Sequence, residues 1–139
     1  MRRLLFVIRR VWASPATALG LAATAVAMVF GATLHVVDGV IETGGGGIGR
    51  FVVFLPKRFC FGAMTLGHVI VGRDHPTLAA VREHEHVHVR QYERWGFLFL
   101  PLYLGSCLAQ LVQGRDPYWD NGFERQAYEQ SSTDPRADT

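Results

Sequence analysis

The sequence predicts an α+β protein: an N-terminal transmembrane helix, then a small domain with a short sheet, a central helix and a C-terminal helix. Three observations lead there. Residues 11–34 hold no charged residue and no histidine. Short segments rich in Val, Ile and Phe follow, separated by glycine. Beyond them lies a long run of helix formers that carries three of the six histidines. The length of 139 residues suits one domain plus an anchor. The expected division is residues 1–38 as a basic end and anchor, 39–130 as the folded domain, and 131–139 as a flexible tail.

The anchor comes first in the chain. About 20 apolar residues suffice to cross the hydrocarbon core, and residues 11–34 supply 24. Ser14-Pro15 reads as a helix start, with serine as N-cap and proline in the first turn. Small residues recur at four-residue spacing in Ala16, Gly20 and Thr24, and again in Ala23, Ala27 and Gly31. In lipid such a stripe lets helices pack closely. Arg2, Arg3, Arg9 and Arg10 precede the segment. They place the N-terminus in the cytoplasm and the domain on the other side of the membrane. A cleaved signal peptide is the competing reading, but the apolar stretch is long for one and closes on no small-x-small site.

The middle of the chain reads as strands. Residues 40–42, 50–55 and 64–72 are expected to be extended, with His68 inside the last as a packed or hydrogen-bonded side chain. The run Thr43-Gly44-Gly45-Gly46-Gly47-Ile48-Gly49 lacks both the G-K-[ST] ending of a P-loop and the G-x-G-x-x-G spacing, so it reads as a hairpin connection.

Residues 83–88 read Glu-His-Glu-His-Val-His. On a helix, His84 and His88 lie one turn apart on one face. Both imidazoles can then reach one zinc ion, and Glu85 is placed to take a proton from the water that zinc activates. His86 points away. On a strand, His84, His86 and His88 would share a face instead. The surroundings favour a helix. Asp74 or Thr77 can cap it, Pro76 sits near its start, and helix formers continue to Trp95 before Gly96. A third ligand is expected from Glu124, in the first turns of a helix capped by Asp120 or Asn121. Glu129 is the less favoured donor.

These residues resemble the small gluzincin-type zinc metallopeptidases, the minigluzincins. The resemblance rests on Thr65-Leu66-Gly67-His68, the H-E-x-x-H of residues 84–88, Gln91, and the N-x-x-E-x-x-A-Y of residues 121–128, and it covers about half of the chain. It implies a zincin-like domain, Zn2+ held by His84, His88 and Glu124, Glu85 as general base, and a sheet edge able to hold an extended peptide. Larger gluzincins carry an aspartate one turn after the glutamate ligand, where this chain has Tyr128. No oxyanion-stabilising residue stands out among Tyr92, Tyr103, Tyr118 and His68.

Residues 95–114 form a second uncharged stretch of 20. A simple crossing there would put His88 and Glu124 on opposite sides of the bilayer. An intact site therefore requires a core helix or a segment that dips into the interface and returns. The rival is an intramembrane metalloprotease with Asp116 or Asp120 as third ligand.

The expected function is peptide-bond hydrolysis by zinc-activated water at a membrane, with membrane lipid and a peptide or protein substrate as partners. The alternative is a catalytically silent membrane protein with a structural or regulatory metal site. A net charge of +2 without a long basic face excludes nucleic acid as a partner. With only Cys60 and Cys107 and no C-x-x-C, a cysteine zinc site or thioredoxin-like motif is excluded.

Overall fold

The computed structural model describes residues 1–47, 50 and 62–131. Among these, the chain runs α1 (Arg2–Trp12), α2 (Ser14–Val29), β1 (Thr33–Val37), β2 (Val40–Gly44), β3 (Ala63–Leu66), β4 (Val69–Gly72), α3 (His75–Trp95), a 3-10 turn (Gly96–Leu98), α4 (Phe99–Val112) and α5 (Gly122–Gln130). The α+β class stands. Residues 51–55 of the strand expected at 50–55, Cys60, and residues 132–139 of the tail expected at 131–139 lie outside the described residues.

The sheet has the order β1-β2-β4-β3, with β2 and β4 parallel and the outer pairs antiparallel. Helices cover both faces. Val40, Ile70, Leu78 and Val89 form the core between the sheet and α3. The opposite face meets α2, where Thr24 and Thr43 share a hydroxyl hydrogen bond of 2.9 Å. Gly20 lies so close to the sheet that a Cβ there would come within 2.6 Å of the Val69 Cβ. The small-residue stripe of Ala16, Gly20, Thr24 and Ala27 is thus the buried face of α2. It lets α2 approach the protein's own sheet, not a neighbouring membrane helix.

Two expectations need correcting here. The apolar stretch 11–34 is not one straight anchor. The chain bends by 59° between α1 and α2, at the fully buried Ala13. Its last residues, Thr33 and Leu34, begin β1, which pairs with β2 across Asp38-Gly39. Both turn residues have positive φ, 51° and 77°, the requirement of a type I′ hairpin. The extended segment expected at 64–72 is likewise a hairpin. It folds back at Gly67-His68, where Leu66 pairs with Val69 and Gly67 takes φ +63° against the backbone of Thr17.

Helix α3 starts where expected. Asp74 is the N-cap, accepting from the Thr77 amide at 2.7 Å, and Pro76 follows in the first turn. Taken through the 3-10 turn, His75–Val112 is by length and composition apolar enough to cross a membrane. Pro101 falls in the first turn of α4, where an amide has no intrahelical partner to lose, so it brings no interior kink. On the far side of α3, the buried Glu42 of β2 accepts two hydrogen bonds from Arg82, at 2.7 and 2.9 Å. The fold thereby fixes one helix, α3, against a sheet on one side and leaves its other side to α4 and α5.

Candidate metal centre

Three ligand-type side chains converge on the free side of α3. His84 and His88 lie one helical turn apart, and both are buried. The chain then leaves through α4, turns at residues 113–121 and returns as α5. Asn121 caps α5 by accepting from the Phe123 amide at 3.0 Å, which puts Glu124 in the first turn, buried. Asn121 also donates to the Tyr103 carbonyl and to the Cys107 sulfur, tying the return of the chain to the middle of α4.

The geometry is tight. His84 Nε2 lies 3.0 Å from Glu124 Oε2, His88 Nε2 lies 3.4 Å from Glu124 Oε1, and the two Nε2 atoms are 3.1 Å apart. Ligand atoms bound tetrahedrally at about 2.0–2.1 Å from zinc stand about 3.3 Å from one another. The three groups each offer one ligand atom within 4.8 Å of the others. They form a buried group able to hold a metal ion. The donor set itself, two imidazole nitrogens and a carboxylate, suits a divalent transition-metal ion.

The surroundings orient these groups. His88 Nδ1 pairs with Gln91 Oε1 at 2.8 Å, and the Gln91 amide donates to the Phe123 carbonyl and to Gln126. Gln91 thereby stitches α3 to α5. Tyr103 donates to Glu124 Oε1 at 2.6 Å. Burial alone would raise the Glu124 pKa, but hydrogen bonds from His84, His88 and Tyr103 hold it down at about 2. Burial works against charge on His88 too, and its pairing with Glu124 outweighs that and raises its pKa.

Glu85 sits beside this group without joining it. It is buried, and its Oε2 accepts from the Thr65 hydroxyl at 2.7 Å. Thr65 belongs to β3, so the strand nearest the helix aims the carboxylate. His86 points to the sheet side, as the helical reading requires. Its burial pushes the imidazole toward the neutral form. The three-histidine strand arrangement therefore does not occur. His68 bridges Thr17 and Glu93 as a hydrogen-bonded side chain. Asp116 and Asp120 are turn residues: Asp116 accepts from the amides of Tyr118 and Trp119, and Asp120 from that of Asp116. Neither joins the buried trio. Glu129 is exposed.

One partner is missing. Histidine ligands as a rule donate their second ring N–H to a carboxylate, carbonyl or water. Among the described residues, His84 Nδ1 is buried without a hydrogen-bond partner. Tyr128 lies one helical turn after Glu124. Its ring lies 4.2 Å from that of His84, and its hydroxyl turns to Tyr118 at 2.8 Å.

Sequence reasoning missed the roles of Thr65 and Tyr103. A tyrosine inside an apolar stretch was the one available signal, since a buried phenol needs a partner. In comparisons with known proteins, no family model, no curated protein and no solved structure matches the chain.

Proposed function

We propose that the protein is a membrane-associated, zinc-dependent metallopeptidase of the minimal zincin kind. One observation carries the reading: the convergence of His84 and His88 with Glu124, which lies on another helix 36 residues after His88, beside a buried glutamate that is not part of the group.

His84, His88 and Glu124 would hold Zn2+. When bound, the ion supplies Lewis acidity, polarising a carbonyl and making water acidic enough to be deprotonated near neutral pH. Glu85 is the general base. The Thr65 hydroxyl occupies Oε2 and leaves Oε1 to accept the proton of the attacking water. The water oxygen bonds to the peptide carbonyl carbon, the C–N bond breaks, and Glu85 returns the proton to the leaving amine. Strand β3 pairs only with β4 among the described residues. An extended substrate laid along its free edge would be held by strand addition, next to the threonine that aims Glu85.

The silent alternative gains from the unpartnered His84 Nδ1, because the groups behind a ligand affect metal affinity. A metal that serves only folding or partner binding needs no general base. Purified protein assayed for zinc and for cleavage of a peptide library separates the two. Glu85→Gln is expected to lower hydrolysis by about 10²–10⁴-fold while bound zinc stays stoichiometric. Hydrolysis undiminished in that variant would sink the peptidase reading. Zinc without hydrolysis in the parent protein would favour the silent one.

A further inference from the structure

We infer that the protein is monotopic, embedded in one leaflet of an anionic bilayer through α1 and the outer faces of α2 and α4, with none of the described helices crossing. The inference is independent of the hydrolase reading.

Helix α2 cannot cross as a lone anchor. Its 16 residues span about 24 Å, short of a hydrocarbon core of about 30 Å. It is also fastened along its length to the sheet, through Gly20 against Val69 and Thr24 against Thr43. A crossing α2 would carry that sheet into lipid. The sheet edges would then leave backbone N–H and C=O groups without water. Helix α4 cannot cross either. With α3 it forms a run long enough to cross, but α3 is fixed to the sheet through Leu78 and Val89, and Asn121 clips the returning chain to Tyr103 and Cys107, halfway along α4.

Both helices nonetheless present wholly apolar faces outward. Leu19, Val26, Val29 and Phe30 are exposed on the α2 side, and Leu104 and Leu108 on α4. These surfaces adjoin, because Ala13 and Ala16 pack with Phe99 and Trp12 meets Phe97 edge-on at 5.2 Å. Helix α1 supplies the charge. At 100° per residue its four arginines fall on one side, with Leu4, Val7, Ile8 and Val11 on the other. It contains no acidic residue, and none of its residues is buried. A short basic amphipathic helix bent away from its neighbour lies in the interface plane, its arginines among anionic headgroups.

Three positions on a background with both native cysteines replaced (Cys60→Ser, Cys107→Ser) test the topology: a cysteine added before Met1, Arg90→Cys and Glu129→Cys. In sealed vesicles, a membrane-impermeant maleimide is expected to label all three from the same side. Any one position that differs from the other two in labelling, Glu129→Cys included, would mean at least one crossing and overturn the inference. Flotation of the full chain with phosphatidylglycerol vesicles, against phosphatidylcholine vesicles, tests the lipid. Replacing Arg2, Arg3, Arg9 and Arg10 by Gln is expected to weaken binding to the anionic vesicles by about 100-fold or more, with little change on the neutral ones. Equal binding of the parent protein to both, or a lipid-free dimer that buries these faces, would overturn it.

Discussion

Helix α3 buries a glutamate on each of its two sides, and the two are opposites. On the sheet side, Glu42 meets Arg82 in a two-pronged ion pair, with both carboxylate oxygens satisfied by a full positive charge. That arrangement is closed. On the other side, Glu124 is met by a phenol and by two imidazoles whose Nε2 atoms face one another at 3.1 Å. Two ring nitrogens and a carboxylate aimed at one point form an arrangement that a cation would complete. Burial of a carboxylate therefore says little about function by itself. What surrounds it separates a structural pair from a binding centre.

The largest expected effect tests the open side. Zinc sites worth about 10–16 kcal/mol over three or four ligands make each ligand worth about 2.5–5 kcal/mol. Glu124→Ala and His84→Ala are each expected to weaken zinc binding by about 100-fold or more, read by competition with a chelating dye. Retention of full affinity in either variant would remove the distinction between the two glutamates.

The closed side is tested by Arg82→Ala, which leaves Glu42 buried without its partner. A loss of about 3 kcal/mol in denaturant-measured stability is expected, with zinc affinity unchanged. The same pair carries a pH signature. Hydrogen bonding from Arg82 holds the Glu42 pKa below its ordinary 4.5. The folded state thus gains stability that is complete above pH 4.5 and is lost as pH falls through the lower folded value. Without Arg82, burial would raise that pKa, so acidification over this range should cost the variant less than the parent. A matching acid profile for both proteins would mean that the ion pair is not what holds Glu42.

Smaller still is Tyr103→Phe, which removes one hydrogen bond to Glu124 and leaves the rest of the centre in place. A loss of about 10-fold in zinc affinity is expected, in the range of groups that orient ligands. The smallest effect sharpens the picture of the unpartnered ring nitrogen. Tyr128→Asp offers His84 Nδ1 the carboxylate that it lacks, and a gain of a few-fold up to about 10-fold in zinc affinity is expected. A loss instead would mean that the tilted ring contact between Tyr128 and His84 matters more than the hydrogen bond.

The centre was legible because its information is local. His84 and His88 are four apart in a segment whose cap, Asp74, and helix formers all agree, and that spacing fixes a shared face whatever the fold. Glu124 was legible only in company, through an asparagine cap at the right distance to return. The supporting residues were not, because their partners are set by tertiary contact: nothing near Thr65 in sequence points to Glu85, and nothing near Tyr103 points to Glu124. The anchor failed for a related reason. A stripe of Ala16, Gly20, Thr24 and Ala27 permits close approach to a helix in lipid or to a sheet in water, and sequence spacing cannot choose. Strand β1 was hidden because its first residues continue the apolar stretch, although Asp38-Gly39 marked its end.

The doubling back of the chain after Val112 ties two equilibria together. The last helix of the described residues reaches α3 through the polar contacts of Glu124 and Gln91, together with packing around Phe123. A divalent ion gripped by both helices would act as a clasp on that carboxy-terminal arm, tightening it by mass action as free ion rises. A chelator should then loosen this arm before it disturbs the sandwich of α2, sheet and α3, so limited proteolysis would begin between residues 113 and 131.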